Sequence, residues 1–261
     1  MTQSSKDQET EISESRDGPC LTLTISYPER RNPLGTDTAA RLCVKLREAE
    51  ADADIRAVVL TGADRHFSSG GNLKELLQTT ALRADEHWMN GGIWEDLFST
   101  LMTLAKPTVC RIRGAAMAGG CGLVAACDFA IAEDTAKFAV PEAKIGLFPL
   151  AILPALVRSV GRRPALNLAL TGRTITAQEA EKIGLITAAV PAEKLDEEVA
   201  DLVAQLTAIG PLTMAMGKRA FNRIAELDLH AANQAARDLR VPFLTSPELK
   251  MGIEAFLARK S

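Results

Sequence analysis

Leu21, Leu23 and Ile25 alternate with Thr22, Thr24 and Ser26, the period of two that marks a half-buried strand. A turn-rich loop from Pro28 to Gly35 follows, then a pattern with Leu42 and Leu46 on one face that predicts a helix from about Asp37 to Ala51. Ile55 to Thr61 is an unbroken apolar run, the type that α/β sheets bury on both faces. It stops at Gly62, and the loop ADRHFSSGGNL leads toward a helix near Leu73 to Gln78. Thr80 to Ala105 reads as two helical pieces broken near Gly91 and Gly92, and Pro107 turns the chain out of the helix into a strand, Thr108 to Arg113. Asp128 to Ala132 and Lys137 to Val140 are further short β runs. Beyond Pro154 the pattern is helix after helix. Thr176 to Glu179 fits a capping box, with Gly184 as its C′ residue. Leu195, Val199, Leu202, Val203 and Leu206 share one helix face, and Ser246-Pro247 starts a last helix carrying Ile253, Phe256 and Leu257. The fold class expected from this order is α/β, with a core over residues 19–190 and a C-terminal helical region over 191–261.

Composition narrows the classes of function. The 261 residues are 47% hydrophobic and 24% charged, enough for a full core without disulfide or metal staples. A net charge of −3 and 4% aromatic content exclude a basic, base-stacking surface, so no nucleic-acid partner is expected. No apolar run approaches membrane length and no signal-peptide core is present, so no membrane partner is expected either. The five cysteines, Cys20, Cys43, Cys110, Cys121 and Cys127, are odd in number and lack a CxxC pair, as reduced thiols of a cytoplasmic protein would be. Residues 1–18 hold Asp7, Glu9, Glu11, Glu14 and Asp17 against Lys6 and Arg16, the composition of a disordered tail. His66, His87 and His230 match no metal-ligand spacing, so no metal is expected.

Chemistry concentrates in two glycine-rich strand exits. The loop Phe67-Ser-Ser-Gly-Gly-Asn-Leu73 follows the first buried run, and Ala118-Gly-Gly-Cys-Gly122 follows the second. Glycine lets a backbone amide approach a ligand that a side chain would hold off. If Gly120 to Cys127 is a helix, its first amides are unpaired and lie at the positive end of its dipole. An amide from Ser69 and one from Gly119 could therefore converge on one oxygen as an oxyanion hole. No GxSxG elbow surrounds Ser68 or Ser69, which argues against a serine hydrolase. Gly120-Cys-Gly122-Leu-Val-Ala125 fits the GxGxxA dinucleotide pattern, but Ala115 to Gly119 separate it from the strand it should follow.

These motifs, in this order, resemble the crotonase (enoyl-CoA hydratase/isomerase) family from about residue 20 onward. The carriers are RNPLG (Arg31 to Gly35), TGADRHFSSGGNLKEL (Thr61 to Leu76), KPTVCRIRGAAMAGGCGLVAACD (Lys106 to Asp128), FAVPEAKIGLFP (Phe138 to Pro149) and TGRTITAQEAEKIGLI (Thr171 to Ile186). The resemblance implies a spiral of ββα turns, C-terminal helices used for trimerisation, and an acyl-CoA thioester as substrate, with coenzyme A brought in by the substrate and no separate cofactor. It implies a homotrimer or a dimer of trimers. It assigns Ser69 and Gly119 to the oxyanion hole, Glu142 to catalysis, and Arg31, Gly70, Gly71, Asn72, Gly120 and Leu150 to the binding of CoA or substrate.

One departure bears on the reaction. Hydratases of the family commonly hold water between two glutamates; Glu142 falls on the second, while Gly122 stands where the first would be. One carboxylate can still add water by shuttling a proton, or can move a double bond by taking a proton from one carbon and returning it to another. The resemblance therefore implies an enoyl-CoA hydratase, with an enoyl-CoA isomerase or a non-catalytic acyl-CoA binding protein as alternatives. Leu150, Ala151, Ile152 and Leu153 follow Pro149 where glycines are frequent, which would dry the pocket or reshape its acyl end.

Overall fold

The computed structural model describes residues 10–258. In chain order its strands are β1 (Glu11–Asp17), β2 (Cys20–Ser26), β3 (Pro33–Leu34), β4 (Ala57–Gly62), β5 (Gly70–Gly71), β6 (Thr108–Ile112), β7 (Ala115–Met117), β8 (Phe129–Glu133), β9 (Lys137–Ala139), β10 (Thr174–Thr176) and β11 (Ala188–Val190). They form a six-stranded sheet ordered β1-β2-β4-β6-β8-β11, a three-stranded sheet β10-β9-β7, and the pair β3-β5. Neighbours from β2 to β11 are parallel, and β1 closes the edge antiparallel. The chain passes from the large sheet to a smaller one and back along successive strand–strand–helix turns, so each turn stacks on the last.

Alternation along the strands divides the core. Val58, Leu60, Cys110 and Ile112 point into the main cluster under the helices Thr36–Ala51, Ile93–Thr103 and Gly119–Ala126. Val59, Val109 and Ile131 point to the other face, where Leu195, Val199 and Leu206 of the helix Leu195–Ala208 cover them. That face explains why β4 and β6 read as continuous apolar runs: both sides are buried.

Two expectations need correction. Residues 1–9 lie outside the described residues, but Glu11–Asp17, expected as part of a disordered tail, is a strand paired in register with β2 from Glu11↔Ser26 to Asp17↔Cys20. Gly18, at φ 52°, is the first central residue of the two-residue connection, the place a tight II′-type hairpin fills with glycine. The acidic side chains stay exposed on the edge, while Ile12 packs on the core. At the capping box, the Thr176 hydroxyl accepts from Glu179 N–H at 3.2 Å as expected. The Glu179 carboxylate pairs with Arg173 instead of reaching back to the cap.

After β11 the chain is helical: Leu195–Ala208, Pro211–Ala225, Leu229–Leu244 and Pro247–Ala258. Lys218 donates to the Lys106 carbonyl and pairs with Asp128, and Arg158 makes a two-pronged ion pair with Glu226 at 2.8 and 3.1 Å. These contacts tie the helix Pro211–Ala225 to the core.

Candidate active site

The small sheets bring the two glycine loops and Glu142 together. β7 and β9 run parallel with Met117 opposite Ala139, and Ala118 N–H donates to Ala139 O at 2.9 Å. The chain therefore leaves β7 into Gly119 beside the point where it leaves β9 toward Glu142; neighbouring strands lie about 4.8 Å apart. On the other side of β7, Ser68 bridges Ala116 in parallel; Ser68 N–H donates to Ala115 O at 2.9 Å, and Met117 N–H to Ser68 O at 3.0 Å. Carried three residues on, that register sets Gly71 against Gly119.

Close packing explains the glycines between. A Cβ at Gly70, whose φ is 86°, would stand 2.6 Å from Met117 O and from the Ala118 methyl. One at Gly120 would stand 2.8 Å from the Ser68 Cβ. Neither pair of backbones could approach this closely with side chains present. By contrast, a Cβ at Gly71 would meet nothing within 4 Å.

The expected role of the Ser69 amide does not hold. Ser69 N–H donates to Arg31 O at 2.7 Å, so it is already used in holding the loop. Asn72 N–H donates to Leu34 O at 2.8 Å. Ser69 and Asn72, three residues apart, both face β3, so the alternation is broken at Gly70 with its φ of 86°. Counted back from Asn72 within the regular stretch, the Gly71 amide points away from β3, on the side where Gly119 stands. The amide of this loop that is positioned to meet a ligand is thus Gly71.

The second loop begins a helix, Gly119–Ala126, one residue earlier than expected. No side chain caps it, and its first intrahelical bond is Gly122 N–H to Ala118 O at 3.0 Å. Gly119, Gly120 and Cys121 thus present their amides at the N-terminus with no intrahelical acceptor. Ala118 holds φ 48° and ψ −120°, a conformation that costs of order 1–3 kcal/mol and is kept only where neighbours enforce it. The Ala118–Ala139 bond and the packing against Gly70 do so.

Asn32, which the sequence singled out only within RNPLG, fixes the whole loop assembly. Fully buried at φ 56°, its amide oxygen accepts from Tyr27 N–H at 2.8 Å, and its nitrogen donates to Ala63 O and His66 O at 2.8 and 2.6 Å. Its own carbonyl accepts from the buried Ser68 hydroxyl at 2.8 Å, which in turn accepts from Gly70 N–H at 3.1 Å. Arg31 itself is exposed. Asn72 caps the helix Leu73–Thr79 by accepting from Lys74 N–H at 3.2 Å.

Glu142 opens a short 3-10 turn, Glu142–Ile145. Its Oε2 is buried and has no hydrogen-bond partner among the described residues. Burial pushes its carboxyl above the ordinary glutamate value, partly offset by its own backbone amide. Burial, and then the charge of Glu142, push the adjacent Cys121 thiol up to about 12. Cys121 is thus a thiol and not a thiolate, and neither a base nor a nucleophile at neutral pH.

Gly122 and the residues after Pro149, two separate departures in sequence, are one feature in space. A Cβ at Gly122 would lie 2.3 Å from Ile152 Cγ2 and 3.0 Å from Phe98 Cε1. Ile152 is 3% exposed, whereas Leu150, expected at the substrate, is 68% exposed. It is Ile152 that reaches this wall.

The sequence model of the enoyl-CoA hydratase/isomerase family matches residues 16–261. The rat mitochondrial enoyl-CoA hydratase domain-containing protein 3 is 35% identical over 91% of this chain and 79% of its own length. The 2,3-dehydroadipyl-CoA hydratase of Escherichia coli is 30% identical over 97% of both. The crystal structure of an enoyl-CoA hydratase from Mycobacterium smegmatis superposes with a TM-score of 0.89 at 31% identity, covering 96% of this chain and 97% of that one. With its spiral fold, paired glycine loops and the buried carboxylate oxygen of Glu142, the chain belongs to the enoyl-CoA hydratase/isomerase, or crotonase, family.

Proposed function

We propose that the protein acts on 2-enoyl-CoA thioesters as a hydratase, with Glu142 as the only proton-transferring side chain. The observation that carries this reading is the buried, unpartnered Oε2 of Glu142, beside an uncapped helix N-terminus. A buried carboxyl with a raised affinity for protons is poised to take one up and return it. The hydratase names of the relatives support water addition as the reaction.

In this reading the Gly71 and Gly119 amides hold the thioester oxygen. The water oxygen forms a bond to the β-carbon while Glu142 takes the water's proton, and the π pair moves onto the α-carbon and thioester oxygen. The two amides stabilise that enolate. Glu142 then delivers the proton to the α-carbon, so one water is added and nothing is oxidised. Coenzyme A enters with the substrate, and no other cofactor takes part.

A second reading rests on Gly122, which supplies no second carboxylate. Glu142 would remove a proton from the α-carbon of a 3-enoyl-CoA and return it at the γ-carbon, moving the double bond into conjugation. Turnover of matched 2-enoyl- and 3-enoyl-CoA thioesters tests both. If the protein binds a saturated acyl-CoA but turns over neither substrate, it is an acyl-CoA binding protein and the enzymatic reading is wrong.

A further inference from the structure

Gly119 and Gly122 lie three residues apart on one helix and so share a face. Side chains on a helix tilt toward its N-terminus, so a side chain at 122 would project over the turn that presents the Gly119 amide. That volume is taken by Ile152 and Phe98. Around Gly119 the nearest side-chain atoms are also apolar: Leu34 Cδ1 at 3.5 Å and Trp94 Cζ3 at 3.8 Å from where its Cβ would be. Trp94 and Phe98 stack with ring centroids 6.4 Å apart. The nearest side chains over the helix terminus are therefore apolar and add no polar partner for a water, which needs two to four to be held.

Building on the assignment of Glu142 as the acid/base, we infer that Ile152 is a specificity-determining residue, which restrains water addition relative to double-bond migration by filling the space in front of Gly122. Migration needs the substrate and one carboxylate. Hydration needs a third body, a water aligned on the β-carbon, and Ile152 occupies the volume over Gly122 in which such a water could be held. Ile152 touches neither proton directly, so its effect falls on the ratio of the two reactions more than on either alone.

The test uses the full chain with six-carbon 2-enoyl-CoA and 3-enoyl-CoA, comparing the initial rate of hydration of the first with that of conjugation of the second. Ile152→Gly opens the space at a position just before the helix Leu153–Val160, where glycine is tolerated. The ratio of hydration to migration should rise roughly tenfold, the equivalent of one added hydrogen bond in the transition state. Ile152→Ala, which removes Cγ2 but keeps Cβ, should move it the same way by less. Gly122→Glu should lose the fold or the activity because of the clash with Ile152, and Gly122→Glu combined with Ile152→Gly should recover both. A ratio unchanged within twofold, in whichever of the two single Ile152 variants folds, overturns the inference. So does a Gly122→Glu protein as stable and active as the double variant. Glu142→Gln separates this from the parent reading. If it retains wild-type turnover, or if the wild type turns over neither substrate, the assignment of Glu142 falls and the inference falls with it.

Discussion

Glu142 holds conflicting demands on one side chain. Its buried oxygen costs the fold something whenever it is ionised, and that same cost makes it a willing proton acceptor. Because burial raises its folded pKa, the stability it contributes is full below the unfolded value near 4.5 and is lost as pH rises through the folded value. Glu142→Gln should therefore raise the melting temperature at pH 8 and leave it unchanged below about pH 4. Turnover should fall by roughly 10² to 10⁴. Thermal melts and initial rates across pH check both; equal melting temperatures at pH 8 would remove the burial argument. The acidic limb of the wild-type rate profile should lie above the 4.5 of an ordinary glutamate, since the base must be ionised to act. Asn32 offers a contrasting case with no part in the chemistry. Asn32→Ala leaves Tyr27 N–H, Ala63 O and His66 O without their partner. Each group left unpaired costs about 1–3 kcal/mol, and urea unfolding should register that loss together with weaker turnover.

Among the elements, the helix Gly119–Ala126 and the strands that flank it decide what the sequence could and could not reveal. The α/β order, the buried run of β4 and the helix at Thr36–Ala51 were legible because burial on one or both faces leaves a period in the sequence. The motif around Glu142 likewise singled out a carboxylate whose Oε2 the fold buries without a partner among the described residues. The choice of amide was not legible. Ser69 and Gly71 both lie in a glycine-rich loop, and only the register of Ser68 on Ala116, with the Ser69–Arg31 bond, tells which amide is free to turn inward. The link between Gly122 and Ile152 is a contact between residues 30 positions apart, which no local pattern carries. At this scale the test is a pair of substitutions at the first helical residue. A Cβ at Gly119 would meet only ordinary contacts, and proline is tolerated at a helix's first position. Gly119→Ala keeps the amide and should keep most of the activity. Gly119→Pro removes the amide and should lower turnover by about 10² to 10³. Equal rates in two folded variants would exclude that amide from the reaction. Gly122→Ala, by contrast, forces Ile152 to move and should cost about 1–3 kcal/mol in urea unfolding.

For the whole molecule the open question is what covers the C-terminal helices. Phe221 is 72% exposed and Phe256 58%, with Leu229, Leu244, Met251 and Ile253 also half or more exposed. A groove of about 430 Å³ between the last helices is lined by Phe243, Leu249, Ile253 and Phe256. Isolated exposed apolar residues need no explanation, but this many on three consecutive helices of one chain form the kind of surface that association buries. The sequence pattern anticipated the last helix and its apolar positions; it could not say whether they faced the core or another chain, since both leave the same period. We expect three copies to pack these faces together, alone or as a pair of trimers. Closed rings of identical copies satisfy every such face at once, whereas a single chain leaves them in water. Light scattering at micromolar concentration should then give a mass of three or six times the 28.0 kDa of the chain. Phe256→Asp together with Phe221→Asp should shift that mass downward, because a charge buried in an apolar contact is left unpaired. A wild type that stays monomeric at these concentrations would mean that the C-terminal helices serve the single chain, and the trimer would have to be abandoned.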